Sequence, residues 1–182
     1  MNTLIPLILT LAAVLAAMLT LLLACVWLVS GRVLAKKTPD PACTPRDLGL
    51  PAEAVSFSSR DGLRLSGWYT RGGPGTVMRP VVVFCPGLFG SLDGDTEMVP
   101  VFTSAGLDVL QFDWRAHGGS AGTRCTLGLE EIDDLLGALD YLEGRGMSRI
   151  GLMGFSMGGA VALRAAARDS HVRCVVCDGG YV

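Results

Sequence analysis

Charge is missing from the start of this chain of 182 residues: no Asp, Glu, Lys or Arg occurs in residues 1–31. That absence excludes a water-facing surface for the segment. Residues 4–29 are apolar except for Pro6, Thr10 and Thr20. As a helix they would extend about 39 Å at roughly 1.5 Å per residue, enough to cross a hydrocarbon core of about 30 Å with some tilt. No Lys or Arg precedes the run either, so it lacks the basic start of a cleaved signal peptide, and it is longer than a signal peptide's apolar stretch. The segment reads as a transmembrane anchor over 1–31. Trp27 sits where an interfacial aromatic would, and Arg32, Lys36 and Lys37 follow at once. The positive-inside tendency then places the C-terminal side in the cytoplasm. Leu22-Leu23-Ala24-Cys25 loosely matches a bacterial lipoprotein cleavage box, but Val26-Trp27-Leu28-Val29 continues the apolar run past it.

An excess of basic residues is also absent. The formal net charge is −2, and it becomes more negative once Arg32, Lys36 and Lys37 are set aside. This excludes a nucleic-acid partner on electrostatic grounds. The phosphate-cradle pattern Gly-x4-Gly-Lys-Ser/Thr does not occur, and the glycine turn described below lacks the dinucleotide pattern Gly-x-Gly-x2-Gly. Histidine is scarce, with only His117 and His171. The spacing His171-x2-Cys174-x2-Cys177 falls on a strand, where side chains alternate faces, so three ligands cannot converge on a metal. No cofactor or metal is expected. The six cysteines are scattered and several lie in apolar runs, which reads as reduced, mostly buried thiols.

What remains is one domain's worth of alternating elements. A linker rich in Pro and charge covers 32–51, and the domain covers 52–182. Strand-like runs at 54–59 and 63–69 flank Asp61-Gly62, a hairpin turn signal. Residues 71–75 read as an exposed loop. Strands are then expected at 80–84, 107–112, 149–153 and 172–177. Helices are expected within 96–104, over 129–143 and over 157–168. The later strands are apolar on both faces, as in a parallel sheet covered by helices on two sides. The expected fold is α/β, a doubly wound and mostly parallel sheet with an N-terminal antiparallel hairpin at one edge, preceded by one transmembrane helix.

The segment Gly154-Phe155-Ser156-Met157-Gly158-Gly159 follows a buried strand and opens a helix. A serine hydroxyl is a poor nucleophile until it is exposed, oriented and relieved of its proton. A sharp strand-to-helix turn supplies the first two, and it needs small residues two positions either side of the serine. Gly154 and Gly158 meet that need. The bland alternative is a glycine turn that merely packs.

Two further segments extend the match. Val83-Phe84-Cys85-Pro86-Gly87-Leu88-Phe89-Gly90 and Asp113-Trp114-Arg115-Ala116-His117-Gly118-Gly119-Ser120 occur in the order and context of known motifs. Together with the serine turn they make the chain resemble the α/β-hydrolase superfamily, in particular its membrane-anchored, serine-aminopeptidase-like branch. Pro86 stands where that family usually has histidine, and Ala116 where it has glycine. The resemblance implies Ser156 as nucleophile and the backbone N–H groups of Met157 and Leu88 as the oxyanion hole. It also implies ester, thioester or amide hydrolysis through an acyl-serine, on a small ester or peptide-like substrate.

The family's catalytic acid and histidine follow the serine in chain order. Beyond Ser156 the only acids are Asp169 and Asp178, and the only histidine is His171. Asp169 and His171 are expected at the end of the sheet away from the site. Asp178 is a minor candidate for the acid, and His117 a minor candidate for a substitute base. The expectation is therefore an incomplete α/β-hydrolase fold, truncated and weakly active or inactive by itself. The alternative is a non-catalytic, membrane-anchored binding domain whose last strand, apolar and lacking a second neighbour, uses a partner to complete the sheet.

Overall fold

The computed structural model describes residues 4–37, 43–74 and 78–180. Residues 1–3 of the expected anchor, part of the expected linker (38–42), Gly75 of the expected loop and the last two residues lie outside these. The chain divides into two compact units, Met1–Ala35 and Lys36–Val182. The first is helix α1, Leu4–Leu34, none of whose residues is buried. It is long and apolar enough to cross a membrane. Pro6 lies in its first turn, where a missing N–H forfeits no intrahelical bond. The Thr20 hydroxyl donates to the Ala16 carbonyl at 2.8 Å and Thr10 donates likewise to Pro6, so the helix itself satisfies both hydroxyls, as an apolar surrounding requires.

The second unit is one six-stranded sheet. Its strands are β1 (Ala52–Ser58), β2 (Arg64–Thr70), β3 (Val81–Cys85), β4 (Asp108–Phe112), β5 (Ile150–Phe155) and β6 (Val172–Asp178). The spatial order is β1-β2-β4-β3-β5-β6. β1 and β2 form an antiparallel hairpin, β2 pairs antiparallel with β4, and β3 to β6 are mutually parallel. The Asp61-Gly62 turn closes the hairpin, with Gly62 in the left-handed region at φ +88°. The expected α/β architecture, with its hairpin at one edge, is thus the observed one.

Helices cover both faces, as side-chain alternation along the strands requires. Val81, Val83, Cys85, Leu110, Phe112, Ile150 and Leu152 point to one face. They pack there against Leu135, Leu139 and Leu142 of α3 (Glu131–Gly144) and Met157, Val161 and Ala165 of α4 (Met157–Ala166). Phe84 and Val109 point to the other face, against Val99 and Phe102 of α2 (Val99–Ser104). α3 lies unusually close to the hairpin, because a Cβ on Gly137 would stand 2.3 Å from the Ser58 carbonyl oxygen.

Connectivity also locates the crevice. The chain leaves β3 over one face through α2, and leaves its neighbour β5 over the other through α4. Loops that diverge to opposite faces open a cleft at the C-terminal ends of the two strands, the place where ligands bind in such sheets.

The cysteine expectation needs correction. Only Cys85 and Cys125 are buried; Cys25, Cys174 and Cys177 are exposed and Cys43 is intermediate. The reason for Cys174 and Cys177 is that β6 pairs with β5 alone among the described residues, so an apolar strand that reads as interior stands at the edge. A Cβ on Gly151 would meet the Cys174 sulfur at 3.0 Å and one on Gly159 the Cys177 sulfur at 2.5 Å, placing the two thiols on opposite faces.

Gly137→Ala is expected to destabilise the domain by about 1–3 kcal/mol, since backbone rather than a flexible side chain occupies the space. Thermal denaturation followed by near-ultraviolet circular dichroism would check it.

Candidate active site

Ser156 sits between β5 and α4 with φ +49° and ψ −116°. A side chain in the left-handed region is strained, and the surroundings impose the strain. A Cβ on Gly154 would lie 2.6 Å from the Gly158 oxygen and the Gly159 Cα, and one on Gly158 would lie 2.0 Å from the Cys85 oxygen. The two glycines therefore let helix and strand approach where any other residue would hold them apart. Three hydrogen bonds fix the bend. Ser156 N–H donates to the Asp178 carbonyl at 2.8 Å, and the Ser156 carbonyl accepts from Gly159 at 3.0 Å and Ala160 at 3.2 Å. The Ser156 side chain is exposed and does not cap α4. Met157 N–H is the first amide of α4, so it has no acceptor within the helix and shares the positive end of the helix dipole.

The loop after β3 lies against this bend. A Cβ on Gly87 would be 3.7 Å from the Ser156 Cβ and 3.6 Å from the Phe155 oxygen. Gly90 N–H closes a tight turn on the Gly87 carbonyl at 3.1 Å. Leu88 follows Gly87 directly, so its amide belongs to the segment facing the serine.

Three side chains after β4 hold that loop. Trp114, fully buried and edge-on to Phe112 at 4.7 Å, donates its indole N–H to the Pro86 carbonyl at 2.8 Å. His117, also fully buried, contacts the Leu88 carbonyl through Nε2 at 2.6 Å and the Arg115 carbonyl through Nδ1 at 2.9 Å. The Asp113 carboxylate accepts the amides of Leu92 at 2.8 Å and Gly119 at 2.9 Å. Burial raises its pKa above the ordinary carboxylate range despite those bonds.

Arg115 anchors the segment from beneath. Its guanidinium reaches Asp134, Glu130 and Asp61 at 2.8–3.0 Å. Burial opposes the charge, but the bonds to Asp134 and Asp61 outweigh it and raise the pKa. Ala116, which replaces a motif glycine, keeps the glycine-like φ of +56°.

Residues 80–181 match the family described as "alpha/beta hydrolase fold". The chain belongs to the α/β-hydrolase family. It is 36% identical over 126 residues to an uncharacterized protein of Mycobacterium tuberculosis, a match covering 65% of this chain and 43% of that protein. To the uncharacterized protein YfhR of Escherichia coli it is 30% identical over 137 residues, covering 71% and 48%. Among solved structures, the Pyrococcus furiosus esterase Pf2001 superposes with a TM-score of 0.71 at 32% identity, over 81% of this chain and 57% of the esterase. A lidless serine hydrolase of Xanthomonas campestris, at 24% identity and a TM-score of 0.61, shares the fold. The chain spans about half the length of the curated relatives it matches.

Within this α/β-hydrolase chain, the remaining candidates separate by position. Asp178 ends β6 beside the bend, where its carbonyl holds the Ser156 amide, and its side chain is exposed. His171 lies at the other end of the sheet, since its carbonyl accepts from Ile150 N–H at the start of β5. β5 at roughly 3.3 Å per residue makes that about 20 Å from Ser156 along the strand. Asp169 is there too, bonded to the His171 Nδ1 at 3.1 Å. Both nitrogens of His117 face carbonyl oxygens, which leaves neither to take a proton from Ser156.

Some site residues escape a sequence reading. Cys125 stands 3.7 Å from the Met157 sulfur, and burial pushes its thiol up to about 11, so it stays protonated at neutral pH. Arg164 of α4 donates to the Gly128 carbonyl at 2.6 Å, and Glu131 gathers the amides of Thr126 and Gly128 and the Thr126 hydroxyl. Neither carries a local sequence signal, because the partners are loop backbone atoms.

Two outcomes follow from this geometry. Gly158→Ala should displace the bend and cost about 1–3 kcal/mol, whereas Gly87→Ala should leave stability nearly unchanged, since its neighbours stand at ordinary contact distance; paired denaturation curves would compare them. Burial alone would raise the Glu131 pKa, but its hydrogen bonds to Thr126 and Gly128 outweigh burial and lower it. A lowered carboxyl pKa contributes stability that is present above the ordinary glutamate value and is lost as pH falls through the folded value. Glu131→Gln should therefore flatten the acid side of the stability profile below pH ~4.5, measured as thermal midpoint against pH.

Proposed function

We propose that this chain provides the nucleophile and oxyanion hole of a serine hydrolase that cleaves an ester, thioester or amide through an acyl-Ser156 intermediate. The observation that carries the reading is the strained, exposed Ser156 held against Gly87 with the first amide of α4 beside it. In this reading Ser156 Oγ attacks the substrate carbonyl carbon and gives up its proton to solvent; the alcohol, thiol or amine then leaves with a proton, and water later releases the acid from acyl-Ser156. The carbonyl oxygen becomes an oxyanion and accepts from the Met157 and Leu88 amides. One such donor is typically worth about 10²–10³ in rate. Neither histidine of the chain is placed to serve as base, so turnover by these residues alone is slow. Loss of a triad histidine can cost about 10⁶ in turnover.

α1 serves as a membrane anchor in the same reading, with the 52–182 domain on the cytoplasmic side, as Arg32, Lys36 and Lys37 favour. Membership in the membrane-anchored, serine-aminopeptidase-like branch belongs to it too. A second reading, a non-catalytic anchored domain that recruits a strand to its sheet, is favoured by the exposed edge of β6, where Val176 is 56% exposed.

A fluorophosphonate probe at high concentration and long incubation should label Ser156 slowly in the wild type and not at all in Ser156→Ala, while turnover of a p-nitrophenyl ester stays near background. No labelling of the wild type would remove Ser156 as nucleophile and leave the binding reading. Fast Ser156-dependent turnover would show that a base is present after all. Alkaline carbonate washing of membranes should leave the protein in the pellet; release into the wash would remove the anchor.

A further inference from the structure

We infer that His117 is a positioning residue that fixes the oxyanion loop as a doubly protonated imidazolium bridging the Leu88 and Arg115 carbonyl oxygens. The inference rests on the Ser156 reading for its catalytic meaning, and on its own geometry for the clamp.

The ring is fully buried, and its two nitrogens stand 2.6 Å from the Leu88 oxygen and 2.9 Å from the Arg115 oxygen. Both partners are backbone carbonyls, which only accept. A neutral imidazole carries one N–H, so its second nitrogen would turn a lone pair toward an oxygen lone pair at hydrogen-bonding distance. Rotating the ring by half a turn does not resolve the conflict. It would place a ring carbon about 2.6 Å from the Leu88 oxygen, well inside the roughly 3.3–3.6 Å of a carbon–oxygen contact. The imidazolium donates to both carbonyls and removes the conflict.

Burying a cation is costly, and hydrogen bonds to the charged form offset that cost. Here two such bonds are present, and the Asp113 carboxylate interacts electrostatically with the ring. Lys36 also interacts electrostatically with that carboxylate. The Arg115 guanidinium is turned to Asp134, Glu130 and Asp61. Lys37 donates its amide to the Ala116 carbonyl and holds its ammonium 5.1 Å from the Phe89 ring centre.

The Leu88 carbonyl lies one atom group from the proposed donor. Holding it limits rotation about the Leu88 backbone. With Trp114 on the Pro86 carbonyl and Gly90 on the Gly87 carbonyl, three bonds then determine where the Leu88 N–H points. Losing the second proton of His117 would release one of its two carbonyls and loosen the loop without touching Ser156.

The test uses the full chain in detergent micelles with nitrogen-15 histidine, His171→Gln assigning the two rings. At pH 7 both His117 nitrogens should show the shift of a protonated nitrogen; a neutral single-tautomer pattern would overturn the imidazolium. In His117→Gln, amides 87–90 should exchange at least ~10-fold faster and fluorophosphonate labelling of Ser156 should slow by ~10-fold or more, within the range of a lost oxyanion donor. Unchanged exchange and labelling would overturn the positioning role and leave Ser156 as nucleophile. Absent labelling in the wild type would instead strike the Ser156 reading, and the clamp would still stand or fall on the nitrogen shifts and the exchange.

Discussion

Everything at the candidate site depends on how closely α4 approaches β5 and β3. Backbone atoms fill the positions where Cβ atoms of Gly154 and Gly158 would be. Only that close approach lets the chain reverse within one residue and leave Ser156 in a conformation that side chains avoid. The strain is local, and its support is distributed. The Asp178 carbonyl holds the serine amide from β6, and the Gly159 and Ala160 amides hold the serine carbonyl from α4. The serine is therefore fixed by its backbone while its hydroxyl stays exposed.

Around this bend the polar side chains after β4 serve architecture. Asp113, Trp114, Arg115 and His117 each reach backbone or carboxylate atoms of another segment, and none of them is exposed. A buried, satisfied polar network of this kind rigidifies a loop more than its pairwise bonds suggest. It gives the segment facing Ser156 a fixed shape although Pro86 and Ala116 depart from the family's usual residues.

The parts legible in the sequence were those governed by local rules. The Asp61-Gly62 hairpin, the glycine spacing around Ser156 and the apolar strands each follow from backbone sterics or side-chain alternation within a few residues. The helix α3 begins at Glu131 rather than at 129, because the Glu131 carboxylate folds back on Thr126 and Gly128 and holds them as a loop. The Arg115 partners lie up to 54 residues away, and the Trp114 bond to Pro86 spans 28. No periodicity announces such contacts. Exposure at Cys174 and Cys177 was hidden for a different reason: an apolar strand reads the same whether it has one neighbour or two.

The hydrogen bond from Ser156 to Asp178 ties the backbone of the bend to β6, an edge strand among the described residues. A strand held on one side only frays more readily than one held on both. When β6 lifts from β5, Ser156 loses the acceptor for its amide. The pairing of β6 with β5 thereby steadies the bend from a distance. The shape of the bend at the centre of the sheet becomes sensitive to what happens at its border.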